Sequence, residues 1–489
     1  MVVIQDKKPF SREVVKDVQT LFEVDPATLE KQGRERLAED KDDPEGLLRL
    51  AMALWRQHAL EEAVVLMKRL ATVAPGWGFG HYMLSLCLGD LRRLEEGLPH
   101  AITAWQIEPK QYRGHLCQVL YGLGRWCEGE AVLHRRPGCN GRTVTVADFH
   151  VRGKSLVIVP DAFNGGDEVL FIPTQKQDGK VKAIPIYHRS GPRHDAGLGD
   201  MLQYVRYVNR LVGEGAMVTV VAQSPLASLI ERSFPRAVVV EPGVVVPHFD
   251  FWARASRLHV AFGDTPETIP KEVPYLIPEP HACEVWRKWL PHENVRIGIC
   301  FSGDTRIKKD TQRSIPVSMF APLSKIPGIK FYSLQIPPEN YQLQHVGFPI
   351  IDLGGQLELD AGMEDVAALI SELDLIISVD TAIAHLAGAL GKPTWLLLSK
   401  LYTDYRWHLG EDGSPWYPTL KIFRQASPGD WPGLISQLAK DLGRLTKLRS
   451  TKIKTSRGSS NGSAKRRHQS REGQGNPPRP VRSRAPFDG

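Results

Sequence analysis

The sequence of 489 residues predicts an N-terminal region of helical hairpins, a parallel α/β body and a disordered basic tail. Three observations carry that reading. Small residues and prolines recur every 34 positions between Leu60 and Ala131; short apolar runs alternate with helical patterns from residue 183; and beyond Thr446 the chain has almost nothing to bury.

In the first region "LEEA" at 60–63 returns as "LEEG" at 94–97, and "CEGEA" follows at 127–131. Ala63, Gly97 and Ala131 are spaced by 34, as are Pro75 and Pro109. Small residues at a fixed place let paired helices approach closely, and a proline closes the second helix of each pair. The period, together with "ALWRQHALEEAVVLMKRLATVAPG", resembles the tetratricopeptide repeat. Two units are well formed and a third, 111–138, is ragged. Residues 12–42 are expected to add a capping helix, so the helical region spans 12–138.

Residues 139–182 read as a strand-rich connector with the runs "KSLVIVP" and "DEVLFIP", to which no chemistry is assigned. The alternation follows. "VKAIPIYH" leads through a glycine turn into "MLQYVRYVNRLV"; then come "AMVTVVAQ", "PLASLIERSF", "RAVVVEP", "VRIGICF", "IKFYSLQ", "MEDVAALISEL", "LDLIISV", "HLAGALG" and "PTWLLLS". Strand, helix, strand in this rhythm means parallel sheets covered by helices. The Pro-rich stretch "PKEVPYLIPEP" divides the alternation into halves at 183–290 and 291–446. Two such halves facing each other make a cleft, and ligands bind beyond the carboxyl ends of parallel strands.

Charge is distributed unevenly. From Lys447 to Gly489 there are 12 Lys+Arg against 2 Asp+Glu, which leaves 50 against 53 for the rest. The net charge of +7 therefore belongs to the tail, 447–489, whose composition predicts disorder. Its basic residues lack interleaved aromatics and a reader fold, so no specific nucleic acid is expected, only weak contact with an anionic surface. No apolar run reaches the length of about 18 residues that a spanning helix needs. The opening "MVVIQDKKPFSREVVKD" is too polar for a secretory signal. The six cysteines form no CxxC pair, which predicts free thiols rather than disulfides or zinc. A cytoplasmic protein, at most peripheral at the inner face of a membrane, is the expectation.

Four clusters hold candidate chemistry. In "SVDTAIAHLAGALGKP", 378–393, a buried strand delivers Asp380 and Thr381 to the lip of a sheet where a small-residue helix begins. A helix start offers free N–H groups and a positive dipole end, a place for a diphosphate. Thr381 and His385 share a helix face. Equally, Asp380 and Thr381 are ordinary caps and His385 a core histidine. In "DAGLGDMLQYVRY", 195–207, Gly197 and Gly199 make a tight turn beside Asp200, which is either a general base or an N-cap. "SGDTRIKKDTQRSIP", 302–316, is a basic loop able to neutralise a diphosphate, or merely solvated. In "DYRWHLGEDGSPWYPTLKIFRQ", 404–425, Trp407, Trp416 and Tyr417 are candidate cleft aromatics that stack on a sugar or base, or plug a junction.

In this order the clusters resemble glycosyltransferase family 9, the ADP-heptose:lipopolysaccharide heptosyltransferase-like group, and in particular bacterial proteins that join tetratricopeptide repeats to such a domain. The motifs are "VDTAIAHLAGALGKPTWLLL", "SPWYPTLKIFRQ", "GLGD" and "RSIP", and the likeness covers about 183–445 plus the repeats. It implies a GT-B fold of two Rossmann-like domains with the active site between them. It also implies inverting transfer of a sugar from a nucleotide-sugar without a metal or other cofactor. Asp200 matches the family's general base. Gly197 and Gly199 belong to its turn, Arg313 matches a donor-phosphate contact, and Asp380, Thr381, Ala382 and His385 match the donor-binding strand-to-helix motif.

The expected partners are a nucleotide-sugar donor and a glycan, lipid-linked or protein acceptor, with the repeats presenting the acceptor or a partner protein. The principal alternative is a catalytically inactive GT-B body serving a repeat-based binding scaffold. A nucleotide-sugar epimerase on the same fold is the third reading.

Overall fold

The computed structural model of the chain describes residues 18–133, 151–160, 176–177, 180–181, 197–242, 244, 249–303, 313–335, 342–344, 346–353, 362–401, 403–409 and 412–458. It divides into two compact units. One is Met1–Thr143 with Lys400–Leu409, the other Val144–Ser399 with Gly410–Gly489.

In the first unit α1 (Val18–Glu23) and α2 (Pro26–Glu39) precede three helix pairs. These are α3 (Pro44–Arg56) with α4 (Leu60–Val73), α5 (Gly78–Asp90) with α6 (Leu94–Ile107), and α7 (Pro109–Gly122) with α8 (Trp126–Leu133). α3 starts where the Asp43 carboxylate accepts from the Gly46 N–H at 2.7 Å, with Pro44 pre-set for the first turn. α2 supplies the expected cap on the repeats. It lies so close to α3 that a Cβ on Gly33 would stand 2.7 Å from the Leu50 nitrogen.

Each pair is joined by a turn with one residue at positive φ: His58 (68°), Arg92 (60°) and Gly124 (72°). The third of these falls two residues short of the period. Gly129, rather than Ala131, therefore takes the place that Ala63 and Gly97 hold in the earlier pairs. Gly97 brings α6 against α5, its Cβ direction pointing at the Ser85 carbonyl oxygen 3.2 Å away. Leu47, Ala51, Met67, Leu70, Met83 and Leu84 form the buried seam.

The short excursion Lys400–Leu409 also packs here. Leu401 enters the core of the repeats, the Tyr405 ring sits 5.0 Å from Tyr121, and Arg92 Nη2 donates to the His408 carbonyl at 3.2 Å.

The second unit holds two parallel sheets. Its strands are β1 (Ser155–Val159), a small antiparallel hairpin of β2 (Lys176–Gln177) and β3 (Lys180–Val181), then β4 (Met217–Val221), β5 (Val238–Val240), β6 (Phe251–Arg254), β7 (Val295–Cys300), β8 (Ile329–Ser333), β9 (Ile351–Asp352), β10 (Leu375–Val379), β11 (Thr394–Leu398) and β12 (Leu420–Arg424). The first sheet has the order β5-β4-β1-β6 and the second β12-β11-β10-β7-β8-β9. This is a parallel α/β body in two Rossmann-like halves, as expected.

One boundary is corrected. "KSLVIV" is not part of a connector; as β1 it is an inner strand of the first sheet, pairing Ser155 with Met217 and Leu156 with Phe251. Leu156, Val157, Ile158 and Val159 are all buried, the mark of a strand covered on both faces. The strand expected in "IPIYH" lies outside the described residues, as does "DEVLFIP".

The helices that follow are α9 (Leu198–Tyr204), α10 (Tyr207–Gly213), α11 (Ser224–Ser233), α12 (Leu258–Ala261), α13 (Pro280–Trp289), α14 (Met363–Glu372), α15 (Ala382–Ala389) and α16 (Trp431–Gly458). α16 runs past the tail boundary expected at residue 446. Leu434, Ile435, Leu438 and Leu442 anchor it on the second sheet's core, and once nucleated a helix extends at little cost through good helix formers. The rest of the tail lies outside the described residues. Among the described residues no helix is long and apolar enough to cross a membrane. Cys87, Cys117, Cys127, Cys283 and Cys300 are free thiols.

Candidate active site

β10 is buried along its whole length between β7 and β11, so its carboxyl end emerges at the middle of the second sheet. There Asp380, Thr381 and Ala382 are half-buried, while His385 is buried. Thr381 occupies the N-cap position of α15 with extended backbone, but its side chain does not cap the helix. Its Oγ1 instead shares a hydrogen bond with Ser378 Oγ at 3.0 Å and lies 3.6 Å from Cys300 Sγ. Thr381 therefore does not occupy the N–H groups of the first turn of α15, which are the donors an anion uses at a helix start. Burial pushes the Cys300 thiol up to about 11, so it stays neutral beside that turn.

Arg313 reaches this end of the sheet, its Nη1 donating to the Asp380 carbonyl oxygen at 3.1 Å. The loop after β7 is pinned nearby: Gln335 Oε1 accepts from the N–H groups of Phe301 (3.2 Å) and Ser302 (2.9 Å), and Ser314 Oγ accepts from Gly303 N at 3.0 Å. Of the basic loop at 302–316, positions 304–312 lie outside the described residues.

The glycine turn arrives from the first half. Gly197 has φ 77°, a left-handed conformation that glycine adopts without strain, and it starts α9. Asp200 falls in the first turn of that helix. α9 packs on α15 so tightly that a Cβ on Gly199 would lie 2.9 Å from His385 Cδ2. The structure therefore brings Gly197, Gly199, Asp200 and His385 together, with Asp380, Thr381, Ala382 and Arg313 at the end of the same strand.

Comparison with known proteins bears on this region directly. Residues 343–399 match the model of glycosyltransferase family 9 (heptosyltransferase). That match covers 57 of the 489 residues. The matched stretch includes β10, the Asp380–His385 segment and β11, but neither Asp200 nor Arg313.

The protein FlbA of Caulobacter vibrioides is 25% identical over 274 residues, or 51% of this chain and 45% of FlbA, so the chain spans just under half of that relative's length. Among solved structures, E. coli ADP-heptose lps heptosyltransferase II shares 11% identity, covering 60% of this chain and 99% of its own, with a TM-score of 0.39. A family 9 glycosyltransferase of Veillonella parvula shares 12%, covering 56% and 87%, with a TM-score of 0.37. The O-GlcNAc transferase of Thermobaculum terrenum shares 13%, covering 87% and 91%, with a TM-score of 0.28.

The three aromatics of the 404–425 segment are buried. Trp407 is 1% exposed and belongs to the helical unit; Trp416 and Tyr417 are 0% exposed. A ring with no exposed face cannot stack on a sugar. Trp407 is packed within the helical unit, and Trp416 and Tyr417 within the α/β unit. Tyr417 Oη shares a hydrogen bond with His385 Nδ1 at 2.9 Å, and its ring lies against Gly388 of α15.

Two residues of "MLQYVRY" escaped the sequence reading. Arg206 is 4% exposed beside Trp416 and Tyr417. Gln203 is fully buried one turn after Gly199, and both polar atoms of its side chain lack a hydrogen-bond partner. The available signal was helical spacing: positions 199, 203 and 206 follow i, i+4, i+7 along one face.

Proposed function

We propose that the chain is an inverting glycosyltransferase. It moves a sugar from a nucleotide-sugar to a hydroxyl of a glycan, lipid-linked or protein acceptor, without a resident metal or other cofactor. The family 9 match over 343–399 supports glycosyltransferase activity. The single observation that carries the finer reading is the seating of Gly199 on His385. It sets the helix that bears Asp200 against the helix whose N-terminus would receive a diphosphate.

In this mechanism Asp200 takes the proton from the acceptor hydroxyl as that oxygen attacks the anomeric carbon. The bond from the anomeric carbon to the diphosphate oxygen breaks on the opposite face, inverting configuration. The departing charge falls to groups the protein itself supplies: the first turn of α15, the Thr381 hydroxyl and the Arg313 guanidinium. Gly197 permits the turn that presents Asp200. The repeats hold the acceptor or a partner protein, and the basic tail adds weak contact with an anionic surface.

Asp200→Asn tests the assignment. Loss of a general base lowers turnover about 10²- to 10⁴-fold, read as nucleoside diphosphate release from the nucleotide-sugar, while nucleoside diphosphate affinity and melting temperature hold. Undiminished turnover in that variant would remove Asp200 from the role. Nucleotide binding without turnover in the unaltered protein would favour the scaffold reading.

A further inference from the structure

The guanidinium of Arg206 is buried and, among the described residues, has no carboxylate as a hydrogen-bonding partner. Nε donates to the Gln203 carbonyl at 2.7 Å, Nη1 to the carbonyls of Pro270 (2.9 Å) and Trp416 (2.7 Å), and Nη2 to Tyr275 Oη at 2.9 Å. Tyr275 passes its own proton to the Leu202 carbonyl at 2.8 Å, so its oxygen is committed as the acceptor for Arg206. The cation lies 4.5 Å from the Tyr275 ring centre, 4.9 Å from Tyr417 and 5.7 Å from Trp416. Carbonyl dipoles and ring faces stand in for the absent anion.

These contacts close a loop through the molecule. The start of α9 touches His385 at Gly199, His385 is bonded to Tyr417, Tyr417 lies under Arg206, and Arg206 follows the end of α9. The guanidinium serves these four acceptors from three nitrogens held in one plane, whereas an ammonium has three donors on a single atom. We infer that Arg206 and Tyr417 are positioning residues that fix Asp200 relative to the carboxyl end of β10 and hold the two sheets of the α/β unit in one arrangement. The inference rests on the proposed transfer reaction for its consequence, because in-line displacement needs the base and the leaving-group site at a set separation. It rests on geometry alone for the fixed arrangement.

The test uses the full chain with nitroxide labels on Met217→Cys, at the start of β4 in the first sheet, and Gln437→Cys on α16, both exposed. Cys127 and Cys139 are replaced by serine, the other four native cysteines being buried. Pulsed electron paramagnetic resonance should give one narrow distance distribution for the parent. Arg206→Lys, which keeps the charge but loses the fork, should broaden or split it.

In the unlabelled protein Arg206→Lys should lower kcat for nucleotide-sugar turnover about 10²-fold with nucleoside diphosphate affinity unchanged, the scale of a misplacement near 1 Å. Tyr417→Phe removes one hydroxyl and keeps the ring, so it folds where the arginine variant does not; it should lower kcat about tenfold. An unchanged distance distribution in Arg206→Lys, or full kcat in either variant, overturns the inference. If the parent binds and turns over no nucleotide-sugar, the transfer reading fails, and the distance measurement still decides whether Arg206 fixes the sheets.

Discussion

Glycine serves the two units for different reasons. At Gly33 and Gly97 in the repeats it lets backbone meet backbone: a Cβ on Gly33 would stand 2.7 Å from the Leu50 nitrogen and one on Gly97 3.2 Å from the Ser85 carbonyl oxygen. In the α/β body it seats particular rings: a Cβ on Gly199 would be 2.9 Å from His385 Cδ2, and one on Gly388 2.5 Å from Tyr417 Cδ1. The first is a rule of close packing that alanine also satisfies, since Ala63 holds the place equivalent to Gly97. The second is specific to the site. A small residue in a repeat reports how near two helices lie, whereas a small residue in "AIAHLAGALG" reports what side chain it accommodates.

That contrast breaks most sharply at Gly388. Gly388→Ala places a methyl within the Tyr417 ring, which is packed on both sides and must move. Overpacking of this kind costs about 1–3 kcal/mol. The unfolding midpoint in urea should fall accordingly and nucleoside diphosphate affinity should weaken with it; a variant with unchanged midpoint and affinity would show that the ring is not held where it is described.

Acid sharpens the comparison next. Burial lowers the pKa values of His81, His100 and His115 in the repeats, that of His115 to about 4 from an ordinary 6.5. The unfolded chain then binds protons before the folded one, so helical stability falls as pH drops from about 6.5 toward about 4. In the body, burial raises the Glu364 and Asp365 carboxyls, partly offset by Arg232 for the first and Trp286 for the second. Their folded forms bind protons before the unfolded chain does, so acidification through their raised pKa values relieves the body. Between pH 7 and 5, hydrogen-exchange protection corrected for the intrinsic rate at each pH should fall in α5–α7 before β10. The reverse order would contradict the assignment.

The smallest effect is expected at Gly97. In Gly97→Ala the gain in helix propensity, about 1 kcal/mol, opposes a contact that is tight but not prohibitive. Thermal unfolding should move by no more than a few degrees; a collapse of the helical unit would mean that the equivalence with Ala63 fails.

Much of this was legible before the structure. The 34-residue period marked the helix pairs because each repeats the same local contacts, and "SVDTAIAH" and "GLGD" marked the site because their small and polar residues fit a strand end and a tight turn. The slip from Ala131 to Gly129 was not legible, since it arises where the connection between α6 and α7 shrinks to Glu108, against Ala74–Trp77 between α4 and α5, and that shortening has no sign of its own in the sequence. Nor was the place of "KSLVIV": its partners Met217 and Phe251 are far along the chain, and pairing over such distances leaves no local pattern. The fate of Trp407, Trp416 and Tyr417 depended on what covers them, which periodicity does not record. Arg206 looked like one more helical charge, and only its acceptors on Pro270, Tyr275 and Trp416 reveal otherwise.

The most direct test of the central claim is calorimetric titration of the purified protein with ADP-, GDP-, UDP- and dTDP-sugars, with Thr381→Val beside it. The account predicts that one nucleotide-sugar binds and that the valine variant, which keeps shape but loses the hydroxyl, binds it markedly less well. Equal binding by both proteins, or no binding of any nucleotide-sugar by either, would contradict a donor site at the end of β10.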